Sequence, residues 1–127
     1  MKTILLITIS ILFLMSGCTG VRATPTLIPA TTPTPGNPDW VNTLIAQFLN
    51  EPVGNPPQSI WKYEYKGSTV YYIPPQCCDQ FSQLYDASGT AICAPDGGFT
   101  GRGDGKCNDF YQTRSGGELV WSDSRGR

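Results

Sequence analysis

Four of the five cysteines fall between positions 77 and 107, in the run CCDQFSQLYDASGTAICAPDGGFTGRGDGKC, and five of the nine residues from Gly97 to Gly105 are glycine. A chain that brings these cysteines together can adopt few folds, so the stretch constrains the rest. Four cysteines allow three pairings. A Cys77–Cys78 bond is disfavoured by the rule that adjacent Cα atoms lie about 3.8 Å apart while disulfides want roughly 4.4–6.8 Å. Two crossed arrangements remain: 77–93 with 78–107, or 77–107 with 78–93. In extended chain the doublet would point its side chains to opposite faces and tie down two segments. A cysteine metal site is a weaker reading, because the chain has no histidine and the spacing lacks the C-x2-C knuckles of zinc sites. No C-x-x-C redox motif is present either.

The start of the chain names a compartment in which such bonds persist. Met1-Lys2-Thr3 is a short basic region, Ile4 to Met15 is apolar or hydroxylated, and Ser16-Gly17-Cys18 follows. The apolar run is shorter than the about 20 residues that span a bilayer and reads as a secretory signal over 1–17. Met15-Ser16-Gly17-Cys18 resembles the bacterial lipobox, with methionine in place of the usual leucine, and makes Cys18 the candidate lipidated N-terminus. Setting Cys18 aside leaves an even four cysteines for disulfides, as an oxidising, extracytoplasmic compartment expects. Thr19 is not the aspartate of the inner-membrane retention signal, which points to the outer membrane if the host is Gram-negative.

Residues 18–36 form a tether. Six threonines and four prolines fill ten of the eighteen positions from Thr19 to Gly36, leaving too little apolar surface for the stretch to order itself. Its polyproline reach is at most roughly 55 Å, at about 3.1 Å per residue.

Residues 37–127 suit one small domain, marginal without covalent help. Asn37-Pro38-Asp39 reads as a cap, a first-turn proline and an acid. Trp40, Val41, Leu44, Ile45, Phe48 and Leu49 then make one apolar stripe at helical spacing, so a helix is expected over 38–50, stopped by Pro52. Ser59 to Tyr65 alternates with period two and reads as a strand, Lys66-Gly67 as a hairpin turn, and Ser68 to Ile73 as the returning strand. In that register Tyr65 faces Ser68, Tyr63 faces Val70 and Trp61 faces Tyr72. The face with Trp61, Tyr63, Tyr65, Val70 and Tyr72 is expected to receive the helix, and that with Lys62, Glu64, Thr69 and Tyr71 to meet water. A second hairpin is expected from 82–86 with 90–93, and a short last strand at Leu119–Trp121 before a polar tail. Residues 109–112 are left open. The fold class is α+β: one N-terminal helix on a small antiparallel sheet, with a disulfide-stapled glycine loop.

The residue inventory excludes several chemistries. Without histidine there is no Ser-His or Cys-His nucleophile pair. Seven cations in residues 37–127 (Lys62, Lys66, Lys106, Arg102, Arg114, Arg125 and Arg127) face ten carboxylates, giving no basic face for nucleic acid. A carboxylate pair of glycosidase type is the remaining catalytic option, but nothing in the spacing selects two from Asp79, Asp86, Asp96, Asp104, Asp109 and Glu118. No catalytic residue is assigned, and the chain is read as a non-enzyme.

The candidate binding loop holds Asp96, Gly97, Gly98, Gly101, Arg102, Gly103, Asp104 and Gly105. Glycines there serve first to give backbone angles closed to other residues. A calcium site built from Asp96, Asp104 and Asp109 is the alternative, although position twelve from Asp96 is Cys107 rather than the glutamate of an EF-hand. The third option is recognition of a partner through the loop. Arg102-Gly103-Asp104 spells an integrin tripeptide by coincidence of glycine spacing. Most of the domain's aromatic residues belong in the core, with Tyr71 and Tyr65 as candidates for a surface that binds sugar or protein.

The run VYYIPPQCCDQFSQLYDASGTAICAPDGGFTGRGDGKCNDF, with LVW near the end, resembles a family of small exported bacterial proteins, a domain of unknown function. Its signature is a Cys-Cys-Asp doublet, an Ile-Cys and GG-x-TG-x-GDG-x-C. The resemblance covers about residues 40–123. It implies that the cysteines and the glycine loop form one unit, and it names no catalytic residue. The sequence therefore leads to a lipid-anchored, extracytoplasmic, monomeric binding module for an envelope or extracellular protein or glycan, meeting the membrane only through its anchor. A calcium-stabilised domain is the alternative, and a carboxylate-dependent hydrolase stands third.

Overall fold

A computed structural model describes residues 34–125. The expected signal, the lipidation site Cys18 and nearly all of the tether lie outside the described residues. Helix α1 (Asp39–Asn50) is followed by β1 (Ser59–Tyr65), β2 (Ser68–Ile73), β3 (Gln83–Asp86), β4 (Ala91–Cys93), the one-turn helix α2 (Phe110–Thr113) and β5 (Ser115–Ser122). The strands form one antiparallel five-stranded sheet in the order β4-β3-β2-β1-β5. The α+β expectation holds. No helix among the described residues is long and apolar enough to cross a membrane.

The first hairpin forms in the expected register, Trp61 opposite Tyr72, Tyr63 opposite Val70 and Tyr65 opposite Ser68. Its turn residues Lys66 and Gly67 both take positive φ, 52° and 77°, as the twist of a two-residue hairpin requires. The second hairpin turns where Asp86 Oδ1 accepts from the amides of Ser88 and Thr90 at 2.8 and 2.9 Å. Helix α1 starts one residue later than expected. Asn37 makes no capping bond, and the first helical amides of Val41 and Asn42 instead donate to the Pro38 carbonyl.

The sheet is covered on both sides, and this corrects the expected facing. Val41 and Ile45 of α1 pack against Ile60, Tyr71 and Ile73, with Trp40, Leu44, Phe48, Tyr85 and Trp121 around them. The helix thus lies on the face expected to meet water, and Tyr71 is buried at 5% exposure. The face bearing Trp61, Tyr63, Tyr65, Val70 and Tyr72 is covered by Phe110, Cys93 and Cys107. Tyr65 is buried there rather than exposed. Period-two alternation assigns residues to faces but not a cover to each face. Here Glu64 and Thr69 pair at the turn end of this face and Lys62 sits opposite Tyr71, leaving Ile60, Tyr71 and Ile73 to receive α1.

The disulfide pairing is also corrected. All four cysteines are bonded, but as Cys77–Cys78 and Cys93–Cys107, not crossed. Cys78 takes a positive φ of 51°, so the doublet sits in a turn rather than in extended chain and its two side chains meet on one side. The separation rule that disfavoured the pair describes cysteines distant in sequence. Cys93 and Cys107, with Cα atoms 6.2 Å apart, close a loop 14 positions long, worth about 3 kcal/mol by chain entropy.

Two further departures concern the last segment. Strand β5 runs from Ser115 to Ser122, longer than the expected 119–121, and meets β1 through two register shifts. Gly116-Gly117 hid its first half, because glycine carries no strand signature. The tail after it is not a free polar end. Asp123, 1% exposed, is gripped by the Arg125 guanidinium, whose Nη2 lies 2.7 Å from Oδ2. That guanidinium also donates to the carbonyls of Leu49, Phe48 and Glu51 at 2.7, 3.0 and 3.0 Å. It satisfies the open carbonyls at the C-terminus of α1 and offsets the negative end of the helix.

The hydrogen bonds from Arg125 hold the Asp123 carboxyl below its ordinary range. A depressed carboxyl stabilises the fold above its unfolded pKa of about 3.9, and this is lost as pH falls through the folded value. Arg125→Ala is therefore expected to lower the thermal midpoint at neutral pH, with the gap from the parent chain narrowing below about pH 3.9. Melts across an acid series check this.

Candidate functional site

The loop between β4 and α2 is built from its glycines upward. An ideal Cβ at Gly103 would lie 1.8 Å from the Ala94 carbonyl oxygen, and one at Gly97 2.2 Å from that of Gln80. Neither position admits a side chain, because the backbone passes through the space it would fill. The loop hydrogen-bonds to itself through Gly101 N to Gly98 O, Gly103 N to Gly97 O and Asp104 N to Ala94 O, at 3.0, 3.1 and 2.9 Å. It is tied to the segment before β3 by Gly98 N donating to Gln80 O at 2.9 Å and Ser82 N to Asp96 O at 3.1 Å. The Ser82 hydroxyl, buried at 1% exposure, donates to Asp96 O and accepts from Asp96 N at 3.0 and 3.1 Å. The Cys93–Cys107 bond closes the base.

At the tip of this braced loop stands Phe99, 91% exposed, with exposed Thr100, Gly101 and Arg102 beside it. Phe81 lies at the loop's foot, half-exposed at 54%, its ring against Gly98. Phe99 was missed in the sequence because it belongs to no periodic apolar run, and Phe81 because its spacing to Leu84 and Tyr85 reads as helical. The available signal was a lone aromatic between two glycine pairs, Gly97-Gly98 and Gly101-x-Gly103.

The carboxylates of the sequence reading separate. Asp96 accepts from the Tyr72 hydroxyl at 3.0 and 2.9 Å and also from the Tyr111 hydroxyl, and the two phenol oxygens lie 2.9 Å apart. Burial, together with these neighbours, pushes the Tyr72 phenol far up and the Tyr111 phenol up to about 12. Asp109 instead accepts from the Tyr65 hydroxyl at 2.6 Å and pairs with Lys66 at 3.0 Å, and these two hold it below the usual carboxylate range. Asp104 caps the turn of Lys106, accepting from its amide at 3.1 Å, and that bond lowers its pKa. Among the described residues no three acidic, cysteine or histidine side chains gather as a metal-holding group. Asp96, Asp104 and Asp109 are thus held by three different sets of donors rather than turned to a common centre.

The remaining acids are also engaged or peripheral. Asp86 caps the second hairpin turn, Glu118 pairs with Lys62 at 2.6 Å, and Asp79 is exposed in the turn after the cysteine doublet. Arg114 lies over the rings of Tyr63, Tyr111 and Phe110 at 4.3, 4.5 and 5.2 Å. Its charge therefore covers the aromatic cluster rather than standing free. Beside these engaged polar groups the loop carries an outward aromatic ring on a braced backbone.

Of the chain, residues 46–123 match a family described as a domain of unknown function, DUF6970, and the chain belongs to that family. No curated protein and no solved structure matches it.

Two outcomes follow from this geometry. Gly103→Ala is expected to destabilise the domain by about 2–3 kcal/mol through overpacking against the 94–95 backbone, more than Gly101→Ala, whose Cβ meets nothing within 4 Å. Denaturant unfolding of the two variants isolates the steric part, because both positions have positive φ, 64° and 70°. For Tyr111, a phenol raised to about 12 stabilises the fold fully below its unfolded pKa of about 10 and stops doing so as pH rises through the folded value. Asp96→Asn is expected to bring the Tyr111 titration down toward the ordinary value, read by tyrosinate absorbance.

Proposed function

We propose that this member of the DUF6970 family is a lipid-anchored, extracytoplasmic binding module that meets its partner through the tip of the 96–105 loop. The observation that carries the reading is Phe99, 91% exposed on a loop braced by internal hydrogen bonds and a disulfide. Binding residues fall disproportionately on loops positioned by a rigid scaffold, so an aromatic ring held outward on such a support points to a contact made with another molecule. Rigidity matters to affinity, because ordering a flexible loop on binding costs about 0.5–1.5 kcal/mol per immobilised side chain. Aromatic and arginine side chains are also the commonest interface hot spots, and Arg102 stands exposed three positions from Phe99. Phe81 extends the apolar surface at the foot of the loop.

The anchor belongs to the same reading. Cys18 as the lipidated residue and the Thr/Pro stretch as a tether would hold the domain at a membrane surface while leaving the loop free to reach a protein or glycan. Support for export comes from the two disulfides, which persist in oxidising compartments.

The test immobilises the mature chain and compares capture from envelope extract by the parent, by Phe99→Ser and by Arg102→Ala. Expected is a reproducible partner retained by the parent and lost by at least about tenfold, or 1.4 kcal/mol, with Phe99→Ser, while the thermal midpoint stays unchanged. Equal capture by parent and Phe99→Ser overturns the reading. The same capture with calcium and with chelator is expected to agree. Capture that needs calcium would transfer the loop to the metal-binding alternative. Metabolic labelling with a fatty acid, lost in Cys18→Ser, tests the anchor.

A further inference from the structure

We infer that Cys77–Cys78 is a thiol–disulfide exchange site whose opening loosens the binding loop. The two disulfides sit in opposite environments. Cys93 and Cys107 are buried at 9% and 5% exposure inside the cluster around Phe110. Cys77 and Cys78 are exposed and joined across a sequence separation of 1. A bond between neighbours closes almost no loop, so cutting it restores little freedom to the unfolded chain. It ties no two elements together, unlike Cys93–Cys107. The exposed bond is therefore open to attack by an external thiolate and can break without unfolding the domain.

The doublet is connected to the loop by a short path. Cys78 is one of two non-glycine residues among those described with positive φ, 51°, a conformation that an L side chain disfavours and that the bond to Cys77 retains. Within the same turn the Gln80 amide donates to the Cys77 carbonyl at 3.0 Å. The Gln80 carbonyl then accepts from the Gly98 amide at 2.9 Å, and it is the atom that leaves no room for a Cβ at Gly97. Next along the chain, Phe81 bridges Gly97 backbone to backbone. Freed thiols allow Cys78 to return to negative φ. The turn then shifts at Gln80, the position on which Gly97, Gly98 and so Phe99 rest.

The reductant is an external dithiol. One of its thiolates attacks the Sγ of Cys77 or Cys78, the bond between them breaks, and a mixed disulfide forms with release of one thiolate of this chain. The second thiolate of the dithiol displaces the remaining sulfur and forms the reductant's own disulfide. The chain gains two electrons and two protons and ends as two thiols.

The inference rests on the proposed function only for the meaning of the loop, and neither readout below uses a partner. Full-length oxidised chain is titrated with dithiothreitol, its free thiols are alkylated, and the peptides are identified by mass spectrometry. Expected is alkylation of Cys77 and Cys78 at dithiol concentrations about tenfold below those that open Cys93–Cys107. Opening of both bonds together, or crossed peptides from the oxidised chain, would overturn the site. The coupling is read by amide hydrogen exchange in a Cys77→Ser, Cys78→Ser double variant. Gly98 is expected to lose protection by roughly tenfold, as release of a positive-φ residue implies, with α1 and the central strands unchanged. Unchanged Gly98 protection would overturn the coupling. Loss of protection throughout would instead make the doublet a structural staple and overturn the proposal.

Discussion

Phe110 is the contact on which the second half of this fold depends. It is wholly buried, with ring centroids 5.7, 5.4 and 5.6 Å from those of Tyr63, Tyr65 and Tyr72. Removing a ring so placed from a core costs about 3–5 kcal/mol. Without it, the face of the sheet opposite α1 would expose a row of aromatic side chains. A four-residue helix has almost no stability of its own, so α2 is held by what its first residue buries. The Cys93–Cys107 bond, next to Phe110 in the same cluster, delivers that segment to the sheet.

The candidate site is a consequence of this arrangement. A chain that must travel from the end of β4 to Phe110 within a loop closed by a disulfide has to fold back tightly. Glycines at 97 and 103 permit it by letting backbone pass against backbone. The hydrogen bonds of the loop are spent internally and on residues 80–82, and Asp96 is spent on two tyrosines. What is left unspent at the tip is the Phe99 ring and the Arg102 side chain, and these shape the functional reading. The Asp96, Tyr72 and Tyr111 cluster then acts as a support beneath the loop, linking β2, the loop and α2.

Several elements were legible from local pattern. The α1 stripe, the Trp61-to-Tyr72 hairpin and its Lys66-Gly67 turn carry their period and turn chemistry in consecutive residues, and each formed close to the expected place. Strand β5 was half hidden by Gly116-Gly117, and α2 was not assignable because four residues are too few for a helical period to show. In the loop, glycine content and bracketing cysteines marked the unit correctly. They did not identify Phe99 as the outermost side chain, because exposure depends on which neighbours arrive. The three aspartates likewise gave no sign of their separate partners, which come from β1, β2, α2 and the loop itself.

Composition and short-range order therefore settled that this is a small, disulfide-bearing α+β domain with a constrained glycine loop and without histidine chemistry. Those properties belong to residue types and to spacings of two or three to four, which the local backbone enforces. The cover on each sheet face, the pairing of the cysteines, the grip of Arg125 on the end of α1 and the exposure of Phe99 were decided in three dimensions. Each depends on segments far apart in the chain meeting at a few ångströms. The vicinal pair shows the limit most clearly: one residue at φ 51° turned the doublet from a crossed staple into a bond between neighbours.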